Sequence, residues 1–266
     1  ALRRFCASGA VEELRSALQT ASADKPFPDG NRPLHAAAEH ASDPRIVTLL
    51  LEAGADPNAS VGVDEELSPV SVLMGAYNPN APVAEALLKA GSDLSLTDSA
   101  GRTALHLAAA MNDSPQVTAV LLRGGASFRA RDTAGRTPLW LAAARGEARC
   151  VDLLLGAGAP VDDPNDAGVT PLQAACERPD AAVLKRLVEA GADANLRDAN
   201  RFTPLMRAVA AGADTDAVEA LLSGKADARS EDDQNRGALF LAASNPAVPW
   251  SASSTRGPFP TRGRAV

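Results

Sequence analysis

A string of twelve residues, Asp132-Thr133-Ala134-Gly135-Arg136-Thr137-Pro138-Leu139-Trp140-Leu141-Ala142-Ala143, returns in variants along this chain at an almost constant interval. The proline at its centre, or an alanine standing in for it, falls at Pro33, Pro69, Ala104, Pro138, Pro171, Pro204 and Ala238. The steps are 36, 35, 34, 33, 33 and 34 residues. A period of this size constrains the fold more than any composition does. One unit is a single supersecondary element that cannot bury its own apolar face, so the units must stack into an elongated array.

The spelling of one unit predicts its local structure. Thr137 can accept a bond from an orphan amide and cap a helix. Pro138 then sits in the first turn, where its missing N–H costs nothing. Leu139, Ala142 and Ala143 follow at helical spacing, and Gly146 ends the helix. A second helix runs through Val151, Leu154 and Leu155, and Gly158 suits the left-handed residue that stops it. The next stretch, with Asp162, Asp163 and Gly168, is polar and turn-forming, as a short hairpin requires. Hydrophobic residues make up 45% of the chain but aromatic residues only 3%. Alanine and leucine therefore carry the packing, and small side chains let helices approach closely.

The motifs Pro33-Leu34-His35-Ala36-Ala37, Thr103-Ala104-Leu105-His106-Leu107-Ala108-Ala109, Thr137-Pro138-Leu139-Trp140-Leu141-Ala142-Ala143, Thr170-Pro171-Leu172-Gln173-Ala174-Ala175 and Thr203-Pro204-Leu205-Met206-Arg207-Ala208 resemble those of ankyrin-repeat proteins. The likeness covers about residues 2–244. It implies an all-α ankyrin-repeat solenoid of helix-turn-helix units joined by short β-hairpin connections. The expected organisation is an N-terminal capping partial repeat at 1–28, six repeats over 29–229, a C-terminal partial repeat at 230–244 and a Pro-rich extended tail at 245–266. The second repeat departs furthest from the pattern. Its turn, Val63 to Leu67, lacks glycine, and Tyr77 to Pro82 form a longer loop with two prolines. Repeats three to five match the motif best and are expected to protect best against hydrogen exchange.

The residues argue against most chemistry. There is no Gly-rich phosphate loop with a lysine, no GxSxG and no HExxH. Cys6, Cys150 and Cys176 are odd in number, far apart and without zinc spacing, and read as small buried hydrophobes in a reducing compartment. Asp56, Asp93, Asp193 and Asp227 recur once per repeat, which points to turns and caps rather than acid–base pairs. The resemblance implies that His35 and His106 bond between neighbouring repeats; His40 is expected to be solvated. No catalytic residue, metal ligand or cofactor site is assigned, and the chain is read as no enzyme. The formal charge of −7 argues against general nucleic-acid binding. No stretch approaches the length of charge-free apolar sequence that a transmembrane helix needs. The chain opens Ala1-Leu2 without methionine, which reads as a processed, trimmed or partial chain. The expected location is a reducing intracellular compartment, cytoplasm or nucleus, or an organelle if a targeting segment once preceded Ala1.

Function must then lie on a surface. The family binds partner proteins through hairpin tips and the inner helices that line a concave groove. Carried over to this sequence, that implies a protein-binding set of Glu39, His40, Tyr77, Arg102, Met111, Arg136, Arg145, Val169, Arg178 and Phe202. Arg102, Arg136, Arg145 and Arg178 come from consecutive repeats and are expected to form one positive stripe. Residues 98–150 carry +3, against −6 for 1–97 and −4 for 151–266. A basic centre between acidic ends could orient an acidic segment of a partner; an ordinary mixed surface is the alternative. Phe202 is either a hot spot at a tip or folded back on its neighbour. Trp140, in the place of the usual histidine, is expected to pack between repeats. In the tail, Trp250 and Phe259 are the expected anchors to a partner chain or to the solenoid's own side. Asn58 and Asn195 are similar to the asparaginyl-hydroxylation sites of ankyrin proteins. The favoured function is a non-catalytic scaffold, in one version a subunit of a larger assembly. The alternatives are the targeting part of a longer enzyme and an anion, nucleic-acid or lipid-surface binder using the arginines.

Overall fold

The computed structural model of the chain describes residues 2–8, 10–28, 30–59, 75–111 and 114–244, the side chains of residues 7 and 8 excepted. Its helices are α1 (Leu2–Ser8), α2 (Val11–Leu18), α3 (Pro33–His40), α4 (Pro44–Glu52), α5 (Ala81–Lys89), α6 (Ala104–Met111), α7 (Pro115–Arg123), α8 (Pro138–Arg145), α9 (Ala148–Gly156), α10 (Pro171–Ala175), α11 (Ala181–Glu189), α12 (Pro204–Ala210), α13 (Thr215–Ser223) and α14 (Ala238–Ser244). Residues 75–77 are also helical. The described residues hold no strand, only the isolated antiparallel bridges Thr97–Thr103 and Glu231–Gly237 at the bases of two hairpins.

The helices form two layers. One runs α1, α3, then α6, α8, α10, α12 and α14; the other runs α2, α4, α5, α7, α9, α11 and α13. From α6 to α13 each first-layer helix meets its own second-layer partner, and along both layers helices of consecutive units meet, the nearest-neighbour geometry that the period demands. In five units the leucine after the central proline or alanine is the keystone. Leu34, Leu105, Leu139, Leu172 and Leu205 are between 0% and 3% exposed. Alanines at 36–38, 108–109, 142–143 and 174–175 fill the seam between first-layer helices.

The caps follow the sequence closely. Thr137 Oγ1 accepts from Trp140 N at 3.2 Å and Thr203 Oγ1 from Met206 N at 3.3 Å. Thr170 and Gln173 form a reciprocal capping box. The aspartates at the recurring late position each accept from the amide two residues on: Asp56 from Asn58, Asp93 from Ser95, Asp193 from Asn195 and Asp227 from Arg229. They are turn residues, as their period implied.

One local difference stands out. The second helices end with an amide bond back to the leucine five residues earlier, as in Ala159 N to Leu154 O at 3.0 Å, and the residue before that amide is left-handed. Gly158 fills this position at φ 90°. In the sixth unit Gly224 comes one residue too early, at φ −78°, and Lys225 takes the left-handed conformation at φ 63°. The bond from Ala226 N to Leu221 O sets the position, so the chain follows the hydrogen bond and not the glycine.

Candidate functional site

The hairpins are built by a side chain that folds its own loop. Asp132 Oδ1 accepts from Ala134 N and Arg136 N at 3.0 and 2.9 Å, and its other oxygen takes Arg136 Nε at 2.7 Å. Asp98 with Arg102 and Asp232 with Arg236 repeat this arrangement. The carboxylates of Asp98, Asp132 and Asp232 are nearly inaccessible, at 8%, 0% and 2%, and each arginine lies against its own aspartate. Hydrogen bonds from Arg136 hold the Asp132 carboxyl below its usual range in spite of burial.

This corrects the expected positive stripe. Arg102 and Arg136 are neutralised in place by Asp98 and Asp132, and their side chains are only 25% and 32% exposed. Arg136 also lies 5.7 Å over the Trp140 ring. Arg145 and Arg178, by contrast, are exposed at the ends of first-layer helices, with no ion partner among the described residues. Only these two of the four arginines offer free charge. They occupy equivalent places in consecutive units, a helix spacing of about 10 Å apart.

Between units, a column of side chains two residues after the central proline or alanine reaches for one backbone carbonyl. His106 Nε2 lies 3.0 Å from Arg136 O, Trp140 Nε1 2.8 Å from Val169 O, and Gln173 Nε2 2.8 Å from Phe202 O. A carbonyl only accepts, so His106 carries its proton on Nε2, and Nδ1 accepts from Thr103 N at 3.1 Å. Three chemically different side chains thus do the same work, and Trp140 packs between repeats as expected. His35 holds the same place, but neither ring nitrogen makes a well-formed hydrogen bond among the described residues; the backbone of Ala59 is near enough to act on its charge. Arg32 precedes Pro33 where a threonine stands elsewhere, and it makes no side-chain cap. Burial pushes the His35 pKa down to about 4.

Trp140 overturns one further expectation. Val169 is 7% exposed, buried in a cluster with Trp140 and Ala174 against Leu141 and Ala144. It is not a surface residue of the hairpin tip, because the indole covers it. Glu39 is half-buried, and His40, 3.5 Å from it, is exposed as expected. Tyr77 is half-buried; burial raises its phenol pKa, and the charges of Arg102, Asp98 and Glu39 all act on it. Met111 is 46% exposed. Phe202 is half-buried and borders a hollow of about 420 Å³ with Glu177, Asn200, Arg207, Ala210 and Ala211. Trp250 and Phe259, like Leu67, lie outside the described residues.

Arg207 is the residue that sequence reasoning passed over. Phe202 stands where the tips at Asp98, Asp132 and Asp232 carry arginine, so Asp198 lacks the loop partner those aspartates have. Arg207 reaches from α12 to replace it, bonding Asp198 Oδ2 through Nε at 2.8 Å and through Nη2, while Nη1 pairs with Glu177 at 3.2 Å. Phe202 is thereby released to line the hollow. The signal was present: Asp198 is followed four residues later by Phe202 and nine later by an arginine unique to this repeat.

Asn58 and Asn195 are braces between units. Asn58 Nδ2 donates to Gly91 O at 3.1 Å and Oδ1 accepts from Asp93 N at 2.7 Å; Asn195 does the same with Lys225 O and Asp227 N. The cysteines are buried, and burial raises their thiol pKa values, that of Cys6 to about 11. No group of three or more potential metal ligands occurs among the described residues, and no helix there is long and apolar enough to cross a membrane.

Comparisons agree with this architecture. Matches to the family described as "Ankyrin repeats (3 copies)" cover residues 72–165, 107–198, 141–232 and 172–249, and one to "Ankyrin repeat" covers 29–60. Among solved structures, the ankyrin repeat domain of Bcl-3, titled a unique member of the IkappaB protein family, is 27% identical with a TM-score of 0.69, over 83% of this chain and 97% of that one. The human ASB11 ankyrin repeat domain is similar in fold, at 22% identity and TM-score 0.73, over 84% of this chain and 96% of that one. No curated protein sequence matches the chain.

Proposed function

The chain belongs to the ankyrin-repeat family, whose domains are in general protein–protein interaction modules, and from that premise we propose that it is a non-catalytic scaffold. It takes a segment of a partner protein along the face formed by the ends of the first-layer helices and the hairpin tips. One observation carries the reading. The position seven residues after the central proline or alanine is exposed in five units and differs in each: His40, Met111, Arg145, Arg178 and Ala211. The leucine six residues before it is buried every time. The fold requires the leucine and leaves the exposed position free, so that position is where recognition can be written.

The chemistry along this row favours a partner segment with an acidic group and an apolar one. Arg145 and Arg178 offer unpaired charge, which steers and orients an acidic segment. Met111 on one side and the Phe202 hollow on the other offer apolar contact. Arg102 and Arg136 contribute as stems and planes more than as charges, since Asp98 and Asp132 already hold them. A place as a subunit of a larger assembly is part of the same reading.

The test is affinity purification with the wild type beside Arg145→Glu/Arg178→Glu and Phe202→Ala. Partners recovered by the wild type and lost from both variants support the groove. Identical recovery with all three removes it.

A further inference from the structure

Four large apolar side chains are strongly exposed among the described residues: Met111 at 46%, Leu222 at 45%, Leu239 at 78% and Phe240 at 55%. Met111 belongs to the row above. The other three all lie at one end of the stack, Leu222 on α13 and Leu239 and Phe240 on α14. Leu239 holds the position at which the five equivalent leucines are at most 3% exposed, and Phe240 that at which Trp140 is 9% exposed. Elsewhere a second-layer helix and the next unit cover these places. After α14 the sequence supplies neither pattern. Residues 245–266 carry Pro246, Pro249, Pro258 and Pro260 and lack the Leu/Val spacing of the second-layer helices.

The segment beyond α14 does match this end of the stack chemically. Residues 245–266 hold Val248, Trp250 and Phe259, together with Arg256, Arg262 and Arg264 and no acidic residue. Residues 214–244 hold seven acidic residues against three basic ones. Trp250 is six residues beyond the end of α14, a reach of about 20 Å at most. A tether this short holds it at high local concentration beside the uncovered leucine and phenylalanine.

We propose that residues 245–266 dock in cis on this face, Trp250 against Leu239 and Phe240, and so cap the stack with an aromatic and basic segment instead of a helix. The docking leaves the partner-binding row untouched, so this inference and the proposed function fail separately.

The test uses the full chain. The difference between the fluorescence of the wild type and Trp250→Phe isolates Trp250, and Trp140 serves as an internal report of folding. Trp250 is expected to emit to the blue of a free indole and to resist iodide several-fold better. Leu239→Ser and Phe240→Ser, at positions where the described structure loses little, should restore free-like quenching. Raising the salt concentration should weaken the protection in part, because the segment is basic and residues 214–244 are net acidic. The proposal is overturned if Trp250 of the wild type quenches like free indole, or if its protection survives Leu239→Ser and Phe240→Ser. Protection that fades on dilution, with a particle of twice the mass in sedimentation, also overturns it and places a second copy on the face.

Discussion

α8 and α14 are written almost alike, Pro-Leu-Trp-Leu-Ala-Ala against Ala-Leu-Phe-Leu-Ala-Ala, yet they live in different solvents. Leu139 is fully buried and Leu239 is 78% exposed; Trp140 is 9% and Phe240 55% exposed. Both helices form, so the local code suffices for the helix. Burial comes from the next unit along the chain, and in a stack of repeats the energy of a residue belongs largely to that neighbour.

The largest expected effect tests that contrast directly. Leu139→Ala should cost about 3–4 kcal/mol in urea unfolding, from lost transfer energy plus a cavity. Leu239→Ala should cost about 1 kcal/mol or less, through whatever covers it. Equal costs would mean that α8 and α14 are buried alike. Amide exchange should sort the same way, slow in α6 to α10 and fast in α14.

The next effect sets His35 against Gln173, which holds the same column position but finds two carbonyls, Leu196 O and Phe202 O. His35 has a folded pKa near 4 against 6.5 when unfolded. It stays neutral in the fold, so its contribution is fully present above pH 6.5 and is lost as pH falls toward 4. The span is on the order of 3 kcal/mol. His106, also lowered by burial, adds in the same direction. Asp132, whose pKa is depressed, acts only below about pH 4, so the histidines dominate the window above it. Urea midpoints measured from pH 7 to 4 should fall for the wild type and fall less for His35→Gln.

Two smaller effects compare hairpin tips. Gly135 is left-handed at φ 71°, and a Cβ there would meet the Asp166 carboxylate at 2.1 Å and the Asp166 amide nitrogen at 2.8 Å. Gly135→Ala should therefore destabilise by about 2 kcal/mol. At the equivalent tip Arg201 is itself left-handed, at φ 62°. Its ion pair with Asp233 is exposed on both sides and adds little. Arg201→Gly should stabilise by about 1 kcal/mol. The smallest contrast is between caps: Thr137→Ala should cost about 1 kcal/mol, whereas Arg32→Ala, at a position without a side-chain cap, should cost nothing through capping. Thermal or urea unfolding reads all three.

The sequence by itself determined the period, the helices, the threonine caps, the aspartate turns and the leucine core, because each is spelled within a few neighbouring residues whose geometry the backbone dictates. It also placed Trp140 between repeats and the exposed Arg145, Arg178 and Met111 on the surface. The tertiary structure alone decided which charges are free and which apolar groups are covered. Asp98 and Asp132 cancel Arg102 and Arg136, Trp140 hides Val169, and Arg207 crosses from α12 to free Phe202. Coulomb energy and burial depend on distances between groups brought together in space. The same arginine or leucine therefore means one thing in the middle of the stack and another at α14.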